Sequence, residues 1–87
     1  MQSYQNRIDR AQLLWSQERH DLAEDSLQQA IAEDPARGIA YSILSLIKSE
    51  QKQSDTAKEL AARGIALAPA ESYAYYALSV ILAKQKK

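Results

Sequence analysis

The apolar residues of this 87-residue chain recur every three or four positions, which is the spacing of one face of an α-helix. Near the N-terminus, Tyr4, Ile8, Ala11 and Leu14 follow this spacing. No segment shows the period-two alternation of a half-buried strand. The pattern therefore predicts an all-α fold with five helices, over residues 3–17, 21–33, 37–51, 55–67 and 70–85.

Parts of the chain repeat each other at a fixed distance. Residues 40–46 and 74–80 share Ala, Tyr, Leu and Ser at four positions with a constant offset (74 − 40 = 34). Pro35 and Pro69 have the same separation. A constant period of this length indicates a repeat architecture, in which each unit buries its apolar face on its neighbour.

Composition limits the possible partners. The 11 basic and 11 acidic side chains give a net charge of zero, so no general attraction to nucleic acid is expected. No run of 18 apolar residues occurs, and we therefore expect no membrane span. The N-terminal residues do not form a signal peptide. The absence of cysteine suits cytoplasm and periplasm alike, and we favour a soluble, cytoplasmic protein.

The sequence offers little for catalysis. His20 is the only histidine and the chain has no cysteine, whereas a metal site needs several such ligands. The acidic cluster Asp21, Glu24 and Asp25 is explained by the positive end of a helix dipole, and Lys84, Lys86 and Lys87 by the negative end of another. We predict no catalytic residue, no metal site, no cofactor and no enzymatic activity.

The 34-residue period and the prolines, together with small residues at set positions, resemble the tetratricopeptide repeat (TPR). That family has two antiparallel helices in each unit and a proline that closes it. The small–large–small pattern of its second helix is matched by Ala23, Leu27, Ala30 and Pro35. A second match, with a smaller middle residue, is formed by Ala57, Ala61, Gly64 and Pro69.

The resemblance covers essentially the whole chain. It implies an α-solenoid of antiparallel helical hairpins with about two and a half TPR units, wound as a right-handed superhelix whose first helices line the concave side. The chain would be a single domain, 1–87, with units at about 4–37 and 38–71 and a further first helix at 72–87.

The chain departs from the family pattern in two places. Glu18 and Lys52 replace the usual glycine of the turn between helices. Arg7 and Arg10 stand where the first helix should point an aromatic residue and a leucine inward.

The arginines leave two interpretations of helix one. Without a gap in the alignment, Ile8 and Trp15 face the concave surface and the arginines cover an open end. With the helix rotated by about one residue, Ile8, Ala11 and Trp15 belong to the core. We prefer the first interpretation, because the turn that follows then matches without adjustment.

The resemblance implies that a protein or peptide partner binds in an apolar concave groove. The residues at concave positions are Ile8 and Trp15 from helix one, Ile39, Ser42 and Leu46 from helix three, and Tyr73, Tyr76 and Val80 from helix five. These side chains could instead pack between adjacent first helices, and for Ile39 and Leu46 both interpretations remain open. Binding is favoured for Tyr73 and Tyr76, because Tyr75 already supplies the family's core aromatic.

A second hypothesis is structural. Helix five is apolar in almost every direction, and such a helix is normally buried. One side of it can rest on the small face of Ala57, Ala61 and Gly64, whereas the side that includes Tyr75, Leu78 and Leu82 would face water in a monomer. We therefore expect a homo-oligomer through this helix, or a fragment of a longer TPR array.

Overall fold

The computed structural model of the chain describes residues 3–85. Within this range the protein is all-α, with five helices and no strand, as the apolar spacing predicted. The helices are α1 (Ser3–Ser16), α2 (His20–Glu33), α3 (Ile39–Glu50), α4 (Ser54–Leu67) and α5 (Ser72–Gln85).

Helices α3 and α5 begin two residues later than predicted. The backbone N–H of Arg37 donates to the carbonyl oxygen of Asp34 at 3.3 Å, and Glu71 donates in the same way to Ala68 at 3.0 Å. Each bond closes a turn that contains a proline. The prolines therefore lie in the connections, and neither forms the first turn of a helix.

Each helix runs antiparallel to the next one along the chain. Arg7, near the start of α1, pairs with Glu33 at the end of α2 at 2.8 Å. Glu24, early in α2, pairs with Lys48, late in α3, at 3.0 Å. Gly38, just before α3, lies against Gly64, near the end of α4. Short connections favour this arrangement of neighbouring helices.

Helix α3 is the centre of the packing. It packs on α2, α4 and α5, and the phenolic oxygen of Tyr4 on α1 accepts a hydrogen bond from the backbone N–H of Ala40 at 3.2 Å. All eight residues from 40 to 47 are buried. A helix enclosed by neighbours on every side has no exposed face in its middle turns, and α3 fits this description.

A smaller core lies beneath α5. Ala57 and Ala61 of α4 are buried together with Ile81, and Leu78 packs against them. The third small residue of α4, Gly64, faces Gly38 and Ser42 at the start of α3. The small face of α4 is therefore divided between α3 and α5.

The geometry repeats with the sequence period. The hydroxyl of Tyr41 donates to the carbonyl oxygen of Pro35 at 3.4 Å, and Tyr75, one repeat period later, donates to Pro69 at 2.9 Å. The helices α2 and α4 have 14 residues each and begin one repeat period apart. The internal repeat is therefore a property of the backbone as well as of the sequence.

Two residues with a strained backbone conformation also lie one repeat period apart. Glu18 has φ 61° and Lys52 has φ 66°, in the left-handed region that a side chain disfavours.

We expect Glu18→Gly and Lys52→Gly each to raise the free energy of unfolding by about 0.5–1 kcal/mol, after subtraction of the greater flexibility of glycine in the unfolded chain. Urea denaturation measures this change. Glu18→Ala is the control, since it keeps the Cβ and should give no gain; an equal gain from alanine would attribute the effect to the lost side chain.

Candidate binding surface

Helix α5 has two apolar sides that flank its buried face. The buried face consists of Ala74, Ala77 and Ile81. At about 100° per residue, Tyr73, Tyr76 and Val80 fall on one side of it, and Tyr75, Leu78 and Leu82 on the other. We call the first set the tyrosine side and the second set the leucine side.

The tyrosine side carries an aromatic pair. The ring centroids of Tyr73 and Tyr76 are 5.8 Å apart with an interplanar angle of 43°, a distance and tilt typical of favourable aromatic pairs. Tyr73 packs against the main core, and burial, followed by the neighbouring Tyr76, raises the pKa of its phenol. Tyr76 is 58% exposed, and Val80 is partly buried. The sequence predicted this pair as a binding element, and the structure leaves Tyr76 open to solvent.

Three of the predicted partner-binding residues are buried, so we remove them from the candidate surface. Ile8 belongs to the main core with Ile43 and Ile47. Ser42 faces Gly64 of α4, and its hydroxyl donates to the carbonyl oxygen of Gly38 at 3.4 Å. Leu46 is buried with the rest of α3. Ser42 and Leu46 are buried because α3 lies at the centre of the packing, whereas the resemblance had placed one side of this helix at a concave surface.

Ile39 and Trp15 are partly buried and pack against the same core. The indole N–H of Trp15 donates to Oε1 of Glu50 at 2.9 Å, and Nε2 of His20 lies 3.3 Å from the same oxygen. Glu50 therefore joins the ends of α1 and α3 to the start of α2. The sequence missed this contact, because it depends on how the helix ends meet.

Neither interpretation of helix one describes it completely. Ile8 and Ala11 are buried, as the rotated interpretation required, whereas Trp15 stays partly exposed, as the preferred one required. The buried stripe runs through Leu14, and the indole is held at the rim by Glu50.

The structure does not bring Trp15 to the tyrosine pair. Tyr73 lies in the first turn of α5, whereas Trp15 lies in the last turn of α1. Helices α1 and α3 are parallel, because Tyr4 meets Ala40 at one end and Trp15 meets Glu50 at the other. Helix α5 runs in the same direction, since Lys84 near its end lines one depression together with Glu50 at the end of α3. The candidate surface therefore centres on α5 and the adjoining part of α3.

A polar depression lies at the C-terminal end of this surface. Its volume is about 520 Å³, and it is lined by Ser49, Glu50, Lys52, Ser54 and Lys84. Lys84 follows Val80 by four residues and Tyr76 by eight, so it continues the tyrosine side. That spacing is visible in the sequence, where Lys84 had been attributed to the helix dipole alone. Lys86 and Lys87 lie outside the described residues.

The leucine side is exposed on the opposite flank of α5. Tyr75 is 49% exposed and Leu82 is 46% exposed. Leu78 is partly buried, because it packs on the core formed by Ala57, Ala61 and Ile81. Two of the three residues predicted for self-association are thus available at the surface.

The described residues contain no cluster of three or more His, Asp or Glu side chains that could hold a metal ion. No helix between residues 3 and 85 has the length and hydropathy needed to cross a bilayer. The chain matches none of the protein-family models and none of the curated proteins with which it was compared.

Proposed function

We propose that this chain is a TPR-type α-solenoid that binds a segment of another protein without catalysing a reaction. The periodic recurrence of the Tyr–Pro hydrogen bonds and of the strained turn residues supports the assignment to helical hairpins. The two Pro-terminated small-residue patterns carry the resemblance to the family.

The observation that carries the binding function is the tyrosine side of α5. An aromatic pair lies at the surface, with the ring of Tyr73 packed on the core and the ring of Tyr76 exposed. Large aromatic side chains provide much of the binding energy of protein interfaces. A protein segment with an apolar anchor residue would cover Tyr76 and Val80 on the tyrosine side, where α5 lies beside α3.

Selection from a phage library of random short peptides on the immobilised chain tests the proposal. We expect enriched peptides to share an apolar or aromatic residue, and Tyr76→Ala to weaken their binding about tenfold because it removes the exposed anchor. Fluorescence anisotropy measures the affinity. Tyr75→Ala is the matched control, since it removes a similarly exposed tyrosine from the other side of α5. Equal losses from both variants, with unchanged helicity, would place the peptide elsewhere.

The exposed leucine side supports a second candidate function, which is self-association as a structural unit. Leaving large apolar side chains in water forgoes about 1.5–3 kcal/mol for each one, and a two-fold dimer is the commonest closed assembly that would cover them. Further helices of a longer array would cover the same side.

Sedimentation distinguishes these alternatives. If α5 mediates self-association, the chain at about 100 micromolar should sediment as a dimer, and Leu82→Lys should sediment as a monomer because it places a charge in the interface. Leu82 is preferred to Leu78 for this test, since Leu78 contributes to the fold. Leu13→Lys, at an exposed position of α1, controls for the added charge. If the wild-type chain sedimented as a monomer, self-association through α5 would be wrong, and the hypothesis of a longer array would remain.

A further inference from the structure

We propose that the tyrosine side of α5 selects an acidic partner segment, in which a carboxylate lies three or four residues from the apolar anchor. This inference rests on the proposed peptide-binding function and adds the chemistry of the partner. It arises from the continuation of the tyrosine side into the depression lined by Lys52 and Lys84.

The geometry fixes the spacing between the two contacts. Tyr76 and Lys84 are eight residues apart on one side of α5, which corresponds to about 12 Å along the helix axis. An extended peptide advances about 3.3 Å per residue, so the anchor and the acidic side chain should be separated by three or four residues. The same spacing serves either direction of the peptide.

The depression suits a carboxylate. Lys52 and Lys84 bring two ammonium groups to its lining, and Ser49 and Ser54 add hydroxyl donors. Lys84 is exposed and forms no ion pair with another described residue. The one acidic residue of the lining, Glu50, already accepts a hydrogen bond from the indole of Trp15 and faces His20. The two ammonium groups of the lining outnumber its single carboxylate, so the depression keeps an excess of positive charge, which gives complementarity to an acidic segment.

This inference is tested with the same library of random short peptides. Peptides are selected on the wild-type chain, and their affinities for the wild-type chain and for two variants are then measured. Peptides selected on the wild-type chain should carry Asp or Glu three or four residues from an apolar residue. Lys84→Glu should bind these peptides about three- to tenfold more weakly, since it replaces attraction by repulsion. Wild-type affinity for them should also fall with added salt, because the contact is partly exposed. Lys58→Glu, on the exposed surface of α4, makes the same change in net charge and should leave affinity unchanged.

The outcomes separate this inference from the proposed function. If the peptides depend on Tyr76 but show no preference for an acidic residue, or if Lys84→Glu binds them as tightly as wild type, the inference is wrong and the binding function stands. If Lys58→Glu weakens binding as much as Lys84→Glu, the effect is one of overall charge and the inference is also wrong. If no peptide is enriched, or if Tyr76→Ala leaves affinity unchanged, the proposed site and the inference both fail.

Discussion

Leu44→Ala should lower the free energy of unfolding by about 2–5 kcal/mol, the usual cost of truncating a buried leucine. Leu44 is 2% exposed and lies in the main core beside Ile43 and Ile47. Removal of its side chain leaves a cavity in the core around α3, the helix on which α2, α4 and α5 pack. Urea denaturation followed by circular dichroism measures the loss.

The control for Leu44→Ala is Leu78→Ala, at the equivalent position one repeat period later. Leu78 is only partly buried, so we expect a smaller loss, about 1–2 kcal/mol. The difference arises because α4 covers α3, where the guanidinium of Arg63 lies 5.6 Å from the ring centroid of Tyr41, whereas no described helix covers the leucine side of α5. If the two variants lost the same free energy of unfolding, and the loss for Leu78→Ala grew with protein concentration, another copy of the chain would cover Leu78 in solution.

Gly38→Ala should lower the free energy of unfolding by about 2–3 kcal/mol, because the fold has no room for a methyl group at this position. An ideal Cβ on Gly38 would lie 2.7 Å from the carbonyl oxygen of Gly64. That oxygen belongs to the backbone of α4, so the whole helix must move to relieve the contact. The backbone of Gly38 has φ −81° and ψ −19°, which alanine adopts readily; the loss therefore reports the close approach of α3 and α4 alone.

The partner glycine provides the control for this close approach. A Cβ on Gly64 would collide with Oγ of Ser42, a side-chain atom, and would lie 3.3 Å from the carbonyl oxygen of Gly38. Gly64→Ala should therefore be destabilising alone and less so in combination with Ser42→Ala, because the second change removes the colliding oxygen. At an open helical position, glycine to alanine would instead stabilise by about 1 kcal/mol. A gain in stability from either single variant would contradict the close approach.

Spacing along the chain predicted the helices well, because apolar periodicity depends only on local geometry. Tyr4, Ile8, Ala11 and Leu14 form the buried stripe of α1. The sequence repeat likewise led to Tyr41 and Tyr75, whose hydroxyls make equivalent hydrogen bonds. The starts of α3 and α5 were less predictable, since a proline is compatible both with a turn and with the first residue of a helix.

The candidate surface was harder to predict, because exposure is set by neighbouring helices. Leu46 and Ser42 lie on α3, and the sequence does not show that other helices enclose α3 on every side. Periodicity suggests which residues share a helix face, but it does not show which helix covers that face. Tyr76, which the sequence predicts as a binding residue, is exposed in the structure, and its role in binding stays a prediction. Lys84 was overlooked as part of this surface, although its spacing from Tyr76 is visible in the sequence.

The hydrogen bond between Trp15 and Glu50 gives the protein a built-in fluorescent reporter. Trp15 is the only tryptophan, and its indole sits where α1 meets the end of α3. Its emission therefore reports separation of the N-terminal hairpin, whereas circular dichroism averages over all five helices. In a fold held together by contacts between neighbouring helices, the two signals coincide during unfolding only if the units unfold together. The position of this one indole thus allows the cooperativity of the chain to be measured without an added label.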